Sequence, residues 1–500
     1  MSETLSKGWV QCSIGDVVGI QNGYAFKSKD FTTEGVPLVK QTNLIGDTVN
    51  LSKCQYLDKR FLKDKSNFII NKDEILIGMS GSLGKVAIYK YESPALQNQR
   101  TGKLVFYSDS LLSQSLFLHY FTNISYILEK SGKGCGVQNI SATEIENLEF
   151  PFPPLNEQKR IVAKLDAIIP RIDSLKARMD KIPALIKRFR QSVLTAAVTG
   201  KLTEKWREAH LEVESSDLLL EKIENERKSL KRKHKTGYSF KTDSHIDERY
   251  ISITLPKSWE KTNIDLVSLY IVDCPHSTPK WADSGHICLR TTNFLSNKLN
   301  LSEVRYVSKD TYKKRIERLK PEKGDVLYSR EGGILGIACI LDSDEDVCLG
   351  QRMMMFRTSK NIITEYFSFY LNSPIILQHV KNLIGGSAAP HINIRDIKKY
   401  PFPLPPLEEQ KEIVRQVDNL FALSDKLEFH YQNAKARIDK LSQSVLAKAF
   451  RGELVPQDPN DEPAEKLLER IMAEKAKMEE ALKGAKKKGG GQKANAGSRK

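Results

Sequence analysis

The sequence predicts an α+β protein in which two globular, mixed α/β domains are joined by two long helical regions that pair as an antiparallel coiled coil. Three observations predict this fold: an internal repeat across most of the chain, a heptad pattern in both halves, and short β-branched segments between glycine-containing turns. Because tandem copies joined by antiparallel helices are related by an approximate two-fold axis, we expect pseudo-two-fold symmetry.

The repeat relates positions that are 252 residues apart. Residues 151–162 read PFPPLNEQKRIV and residues 403–414 read PLPPLEEQKEIV, so nine of the twelve positions are identical. QSVL recurs at 191–194 and 443–446, and at an offset of 250 Trp9 and Asn43 correspond to Trp259 and Asn293. The predicted segments are a globular domain at 1–150, a helical spacer at 151–206, a linker with a short helix at 207–249, a second globular domain at 250–400, a second spacer at 401–455, and a short helix with a flexible basic tail at 456–500.

The heptad pattern lies in the two spacers. Apolar residues there alternate spacings of four and three, as in the seam of a coiled coil. A single amphipathic core helix is the alternative, but the matched register of two copies favours helices that pack on each other. The predicted seam contains Ile161, Leu165, Ile168, Ile172, Leu175, Met179, Ile186 and Phe189 in the first spacer and Ile413, Val417, Leu420, Leu427, Tyr431, Ile438 and Leu441 in the second.

Prolines mark the start of both spacers and interrupt the first. The proline-rich segments 151–154 and 401–406 predict extended, stiff joints between each globular domain and its helix. Asn156 is a plausible N-cap of the first helix. Pro170 and Pro183 occur only in the first spacer and predict a kink or break near Ile182, so the second spacer should be straighter.

Each globular domain is predicted to contain a sheet with a helix beside it. Short β-branched runs at 35–39, 74–77 and 86–89 have counterparts at 287–290, 325–328 and 336–340. An apolar segment that follows in each copy, at 111–127 and 363–380, predicts one helix per domain.

The charge distribution favours a polyanionic partner. The chain carries 78 basic and 62 acidic residues, a net charge of +16, with +7 in residues 151–210, +5 in 256–400 and only +1 in 1–150. Nucleic acid is the usual partner of such a chain, although a solvated helix face would also explain the excess at 151–210. No apolar run is long enough for a membrane span, so we expect a cytoplasmic protein whose seven scattered cysteines are reduced and mostly buried.

Motifs of covalent chemistry are absent. Both Pro-Pro pairs are followed by leucine, whereas an adenine methyltransferase requires an aromatic residue there to hold its base. Residues 78–86 resemble a phosphate loop, but Met79 and Val86 stand where glycine and Ser/Thr are needed. The nine histidines show no metal-ligand spacing. The sequence therefore predicts a protein without catalytic residues or a metal site.

In its two PPLxEQKxIV segments, its repeated QSVL and GKLTEKWR at 200–207, the chain resembles the specificity subunit of type I restriction-modification enzymes. The resemblance extends from Trp9 to about Leu454. It implies that each globular domain is a target-recognition domain that reads half of an asymmetric bipartite DNA sequence. It also implies that the spacers set the half-site spacing and dock two modification (methyltransferase) subunits, through which restriction/translocase subunits join. S-adenosylmethionine, ATP and Mg²⁺ would be bound by those partners and not by this chain.

Candidate DNA contacts are polar residues in loops of the globular domains. Arginine reads guanine, and asparagine or glutamine reads adenine, through paired hydrogen bonds in the major groove. Residues that both copies share are expected to be scaffold residues or contacts to the DNA backbone, since the two domains should read different sequences. These residues are Asn43 with Asn293 and Gln99-Arg100 with Gln351-Arg352. The candidates are Lys40, Gln41, Asn43, Ser80, Ser82 and Lys85 in the first domain and Arg290, Thr291, Asn293 and Arg330 in the second.

Two other functions compete with this interpretation. One is a self-contained DNA methyltransferase or nuclease, which the missing motifs disfavour, and the other is a coiled-coil scaffold without DNA contact.

The spacer from Ile161 to Val193 would be about 48 Å long, roughly 14 base-pair steps. We therefore expect helix length to set the gap between half-sites. The basic tail would either solubilise the chain or tether it to DNA.

Overall fold

The computed structural model describes residues 5–80, 85–122, 139–233, 244–248, 254–384 and 390–494. The chain divides into two compact units: unit 1 is Met1–Asp180 with Asn433–Lys500, and unit 2 is Lys181–Gln432. Corresponding boundaries differ by the repeat period, since 432 − 180 and 433 − 181 both equal 252. Unit 1 is therefore assembled from both ends of the chain, whereas unit 2 is one continuous segment. Each unit contains a globular part and a portion of both spacers.

The globular part of unit 1 contains a six-stranded and a five-stranded sheet. In the larger sheet, Thr101–Phe106 pairs antiparallel with Val18–Asn22 on one side and with Ile75–Gly78 on the other. In the smaller sheet, Val36–Val39 pairs parallel with Ala95–Gln97. Ile75–Gly78 is buried throughout, which explains its uninterrupted apolar sequence.

Unit 2 repeats these pairings in two four-stranded sheets. Met353–Thr358 lies antiparallel between Ser268–Asp273 and Val326–Ser329, and His286–Leu289 pairs parallel with Val347–Leu349. The matching topology confirms the predicted mixed α/β fold and its duplication.

The remaining strands are short. In unit 1 they are Val10–Ser13, Phe31–Thr32, Leu44–Ile45, Thr48–Val49, Gln55–Leu57, Ile69–Ile70, Val86–Ile88 and Glu149–Phe152. In unit 2 they are Glu260–Asn263, Trp281–Ala282, Phe294–Leu295, Lys298–Leu299, Arg305–Val307, Ala338–Ile340 and Pro401–Leu404.

The helices of the globular parts are also short. In unit 1 they are Ile14–Val17, Phe61–Asp64, Gln114–Thr122 and Ala142–Glu146, with 3₁₀ turns at Ser28–Asp30, Gln41–Asn43 and Ser66–Phe68. In unit 2 they are Ile264–Val267, Lys309–Arg315, Thr364–Leu371, Pro374–Ile384 and Ile394–Lys398, with a 3₁₀ turn at Thr291–Asn293. The single helix predicted at 363–380 is thus wrong, because a second helix begins at Pro374, whose ring cannot continue the preceding one.

The proline-rich segments are strands that close each globular part. Glu149–Phe152 pairs antiparallel with Val10–Ser13, and Pro401–Leu404 pairs antiparallel with Glu260–Asn263. The predicted extended conformation is therefore confirmed. The predicted N-cap, Asn156, is wrong: the first spacer helix begins at Leu155 with Pro154 in the cap position, so Asn156 lies inside the helix.

The repeated EQ dipeptide connects each spacer to its globular part. Trp9 Nε1 donates to Glu157 Oε2 at 2.9 Å, and Trp259 Nε1 donates to Glu409 Oε2 at 2.8 Å. The four side chains are buried. The shared motif is therefore explained by the joint between strand and helix.

The glutamine of the same motif completes this joint. Gln158 Nε2 donates to the carbonyl of Pro153 at 3.0 Å, and its Oε1 accepts from the backbone of Ser113 at 3.1 Å. Gln410 makes the equivalent bonds with the carbonyl of Pro405 at 3.0 Å and the backbone of Ile363 at 2.9 Å.

The first spacer contains a break and the second does not. Its helices are Leu155–Met179 and Ile182–Val198, so the break predicted near Ile182 is confirmed, whereas Pro170 lies within a continuous helix. The second spacer is one helix, Leu407–Phe450.

Within each unit the two spacers run antiparallel. In unit 1, Lys176 Nζ donates to Ser442 Oγ at 3.0 Å and Lys435 pairs with Asp180 at 2.8 Å. In unit 2, Arg190 Nε donates to Ser424 Oγ at 2.8 Å and Thr203 Oγ1 donates to Glu409 Oε1 at 2.7 Å. Increasing residue numbers along the first spacer are paired with decreasing residue numbers along the second. This is the antiparallel pairing that the sequence predicts.

The predicted seam residues differ in burial. Ile161, Leu165, Ile172, Ile413, Val417 and Tyr431 are buried, and Ile168, Met179, Ile186, Leu420 and Ile438 are half-buried. Leu175, Phe189, Leu427 and Leu441 are exposed, so their assignment to the seam is wrong. These four are two repeat pairs, 175 with 427 and 189 with 441, so both copies leave the same positions uncovered.

Helices beyond the spacers pack against the globular parts. Glu204–Ala209 and Ser216–Lys233 follow the first spacer, and Ala464–Ala494, the terminal helix, follows the second. Leu467 and Ile471 of the terminal helix are buried in the core of unit 1. Of the tail predicted to be flexible, the part as far as Ala494 is helical, and residues 495–500 lie outside the described residues.

Four of the six described cysteines are buried and two, Cys12 and Cys54, are half-buried; all six are free thiols. Burial raises the pKa of Cys274 to about 11. None of the helices in the described ranges is both long and apolar enough to cross a membrane.

Candidate nucleic-acid interface

Four backbone segments of unit 1 meet at one edge of its sheets, which we call the unit 1 edge: residues 22–24, 39–43, 78–80 and 97–101. Tyr24 N donates to the carbonyl of Gln97, Asn98 N to that of Val39, and Met79 N to that of Arg100. Ser80 is thereby brought to the turn that contains Lys40 and Gln41, from which it is distant in sequence.

Gln41 and Ser80 form a polar pair at the unit 1 edge. Gln41 Oε1 accepts hydrogen bonds from Ser80 Oγ at 2.8 Å and from Ser80 N at 3.2 Å. A Cβ at Gly78 would lie 3.1 Å from Cγ of Gln41, so a glycine there lets the Gln41 side chain cross the strand end. Lys85 is exposed nearby in sequence, and Ser82 lies outside the described residues.

Asn43 and Asn293 have structural roles, which agrees with the scaffold interpretation and corrects their inclusion among the candidate DNA contacts. Asn43 is buried; its Oδ1 accepts from Lys40 N at 2.9 Å and its Nδ2 donates to the carbonyl of Asn50 at 3.0 Å. Asn293 makes the same bonds with Arg290 N and the carbonyl of Asn300. Both asparagines hold the 3₁₀ turn that presents the residues before them.

The unit 2 edge is built in the same way from residues 273–278, 289–293, 329–332 and 349–353. Gly350 N donates to the carbonyl of Leu289, and Arg330 N donates to that of Arg352. Arg290 and half-buried Thr291 lie at the corresponding turn. Arg290 Nη2 donates to the carbonyl of Glu303, while its buried Nε has no partner among the described residues.

Arg330 is buried rather than presented to DNA, which corrects its prediction as a contact. Its Nε and Nη2 donate to the two carboxylate oxygens of Asp273 at 2.8 and 2.9 Å, and its Nη1 donates to the carbonyl of Ile392 at 3.2 Å. Burial opposes the charge, but the bonds to Asp273 outweigh it and raise the pKa of Arg330 above its usual value. Arg330 therefore holds the edge together.

Several exposed polar residues at the edges are ones that the repeat predicted to be scaffold residues or contacts to the DNA backbone. Gln99 and Arg100 are exposed, and Arg352 is exposed with a left-handed backbone, φ 70°. Thr278 Oγ1 donates to Gln351 Oε1 at 2.9 Å. The recurrence of these residues in both copies indicates contacts to the DNA phosphates, because such contacts do not depend on the DNA sequence.

An aromatic ring with a cation lies beside each edge. Lys40 Nζ is 4.8 Å from the ring centre of Phe31, and the Arg305 guanidinium is 5.2 Å from that of Trp281. Phe31 and Trp281 are equivalent at the offset of 250, as are Gln55, which accepts from Lys40 Nζ, and Arg305. The two edges thus share a frame and differ in the polar groups that they present.

No cluster of three or more His, Cys, Asp or Glu residues suitable for a metal occurs in the described ranges. Both edges offer hydrogen-bonding side chains, with positive charge from Lys40 and Arg100 at the unit 1 edge and from Arg352 at the unit 2 edge.

Comparison with known proteins places both copies of the repeat in one family. The family described as type I restriction modification DNA specificity domain matches residues 6–184 and 274–434. The type I restriction enzyme EcoBI specificity subunit of Escherichia coli is 30% identical over 95% of this chain and 94% of its own length. The EcoKI specificity subunit of E. coli K12 is 28% identical over 94% and 96% of the two chains.

Solved structures share the fold. The HsdS subunit of Thermoanaerobacter tengcongensis aligns with a TM-score of 0.54 at 17% identity, over 91% of this chain and 99% of that one. A chain from a study of complex assembly and conformational transition of the type I R-M system aligns with a TM-score of 0.58 at 16% identity, over 90% and 100%.

Proposed function

We propose, because this chain belongs to the family of type I restriction-modification specificity subunits, that the unit 1 edge and the unit 2 edge each read one half of an asymmetric bipartite DNA target. The chain is a specificity subunit, and catalysis resides in partner subunits. The reading would take place in the major groove, where base pairs present distinct patterns of donors and acceptors.

One observation carries this proposal: the two edges have the same backbone frame but different side chains. The frame-holding asparagines are identical, whereas Gln41 corresponds to Thr291, Gln55 to Arg305 and Ser80 to Glu331. A conserved frame with divergent polar groups is the arrangement expected of two readers with different half-sites.

The exposed apolar residues of the spacers support docking of two modification subunits. Leu175 with Leu427 and Phe189 with Leu441 are equivalent pairs, so each copy offers the same apolar positions to a partner. Large exposed apolar side chains at matched positions are typical of protein interfaces. Restriction/translocase subunits would join through the modification subunits, and S-adenosylmethionine, ATP and Mg²⁺ would be bound by these partners.

The test is to express the full chain with its modification subunits and map methylated adenines across a genome. We expect two different half-sites at one constant spacing. A continuous palindrome, or methylation by the chain in the absence of its partners, would contradict the proposal.

A further inference from the structure

We propose that Glu331 is a specificity-determining residue, whose carboxylate accepts a hydrogen bond from the exocyclic amino group of a cytosine in the half-site of unit 2. This inference rests on the proposed function, because it names one base contact at the unit 2 edge.

Glu331 lies at the backbone position that corresponds to Ser80 of the unit 1 edge. Its backbone forms an isolated antiparallel bridge with His391, as Ser80 does with Asn139 at the unit 1 edge. The equivalence is independent of the residue types, because it comes from backbone pairing. Glu331 is also partly accessible, with 25% of its side chain exposed, whereas the neighbouring Arg330 side chain is only 6% exposed.

The charges around Glu331 leave a surplus carboxylate. Asp273 already neutralises Arg330 through two hydrogen bonds of 2.8 and 2.9 Å. Glu331 Oε1 is a second carboxylate oxygen on the same guanidinium, 2.9 Å from Nη2. Arg330 with these two carboxylates therefore carries one net negative charge, and His276 Nε2 lies 3.0 Å from Asp273.

A surplus negative charge is unfavourable on a surface that must approach phosphates, unless the carboxylate meets a donor on the DNA. In the major groove that donor is the N4 amino group of cytosine, the base that Glu and Asp recognise. Arg330 orders the carboxylate through Oε1. Among the described residues, the ion-pair partners of Glu331 are Arg330 and His276, and both approach Oε1. The ordered carboxylate thus retains an acceptor for a base.

The equivalent site in unit 1 has different chemistry. Ser80 there is neutral and bonded to Gln41. A carboxylate at one edge and a hydroxyl at the other would make the two half-sites differ at this position.

The test compares Glu331→Gln with the unaltered chain, each in complex with the modification subunits, by mapping methylated adenines. We expect a single cytosine of one half-site to lose its preference by about tenfold or more, with adenine gaining, because glutamine pairs with adenine. The other half-site and the spacing should not change. Asp344→Asn is the control: it makes the same charge change at an exposed ion pair with Lys323, and the target should be unaltered.

The possible failures are distinguishable. If Glu331→Gln leaves every base preference unchanged on a bipartite target, the proposal for Glu331 is overturned and the two-reader function stands. If the variant complex assembles but loses all methylation, the proposal is also overturned, because the residue then holds the loop rather than reads one base. If the unaltered chain shows no bipartite target, the proposed function itself fails.

Discussion

Glu157 and Glu409, the glutamates at the two joints between strand and helix, are equivalent residues with different hydrogen bonds. Glu409 accepts from Trp259, from Thr203 Oγ1 at 2.7 Å and from Arg207 Nη1 at 2.8 Å. At the repeat offset, Thr203 corresponds to Val455, which has no hydroxyl. Glu157 Oε1 is accordingly buried without a hydrogen-bond partner among the described residues. Burial raises the pKa of Glu157, although Trp9 opposes the shift.

We therefore expect Glu409→Gln to lower the stability of unit 2 by about 1–3 kcal/mol, because it weakens three bonds around a buried charged group. Glu157→Gln should cost unit 1 less. Calorimetry of the full chain at pH 7 measures both changes, and equal losses would contradict the difference between the joints.

The pH dependence of Glu157 follows from the sign of its shift. Because its folded-state pKa lies above the ordinary 4.5, the folded state takes up the proton first as the pH falls. Ionised Glu157 therefore costs folding free energy, and this cost is relieved between the raised pKa and 4.5. The stability of Glu157→Gln relative to the unaltered chain should be highest at neutral pH and decrease across that window.

At the scale of elements, one heptad series in each spacer contains both buried and exposed apolar residues. Leu175, Phe189, Leu427 and Leu441 are its exposed members. The polar Ser424 is buried in the seam and bonded to Arg190, which fixes the register of the pair in unit 2. A heptad count cannot distinguish the exposed positions from the buried ones, because both follow the same period.

Leu427→Asp should impair assembly with the modification subunits, with a loss of affinity of about tenfold, and leave the folding of the chain intact. Leu295→Asp is the matched control, since Leu295 is 52% exposed and Leu427 is 51% exposed, but Leu295 lies in the globular part. Copurification from the same cells measures assembly. If both variants assemble equally well, the exposed spacer face is not the docking surface.

At the scale of the whole molecule, unit 1 depends on the end of the chain. Ala464, Leu467 and Ile471 of the terminal helix are buried in its core. Lys475 Nζ also donates to the carbonyl of Gly15 at 2.7 Å. The C-terminal segment is therefore part of a globular unit rather than an appendage.

Removing residues 464–500 should destabilise unit 1 by several kcal/mol, on the order of what burial of such side chains contributes, and leave unit 2 folded. Truncation after Leu482 retains the buried contacts and should preserve both units. Calorimetry that resolves a separate unfolding transition for each unit distinguishes these results. DNA binding by the shorter truncation at several salt concentrations tests the tether as well: unchanged affinity and salt slope would mean that the basic stretch is not needed.

The sequence by itself determined the duplication, the spacers with their break near Ile182 and the family. These features are recorded in linear periodicity and repeated motifs, which can be counted along one chain. Only the tertiary structure decided that Arg330 and Asn43 are buried, that Glu331 is partly exposed, and that unit 1 combines both ends of the chain. Burial depends on which distant segments pack together, and no local pattern around Arg330 announces that Asp273 will neutralise it. The residues proposed to read DNA are thus placed by contacts that the linear pattern does not contain.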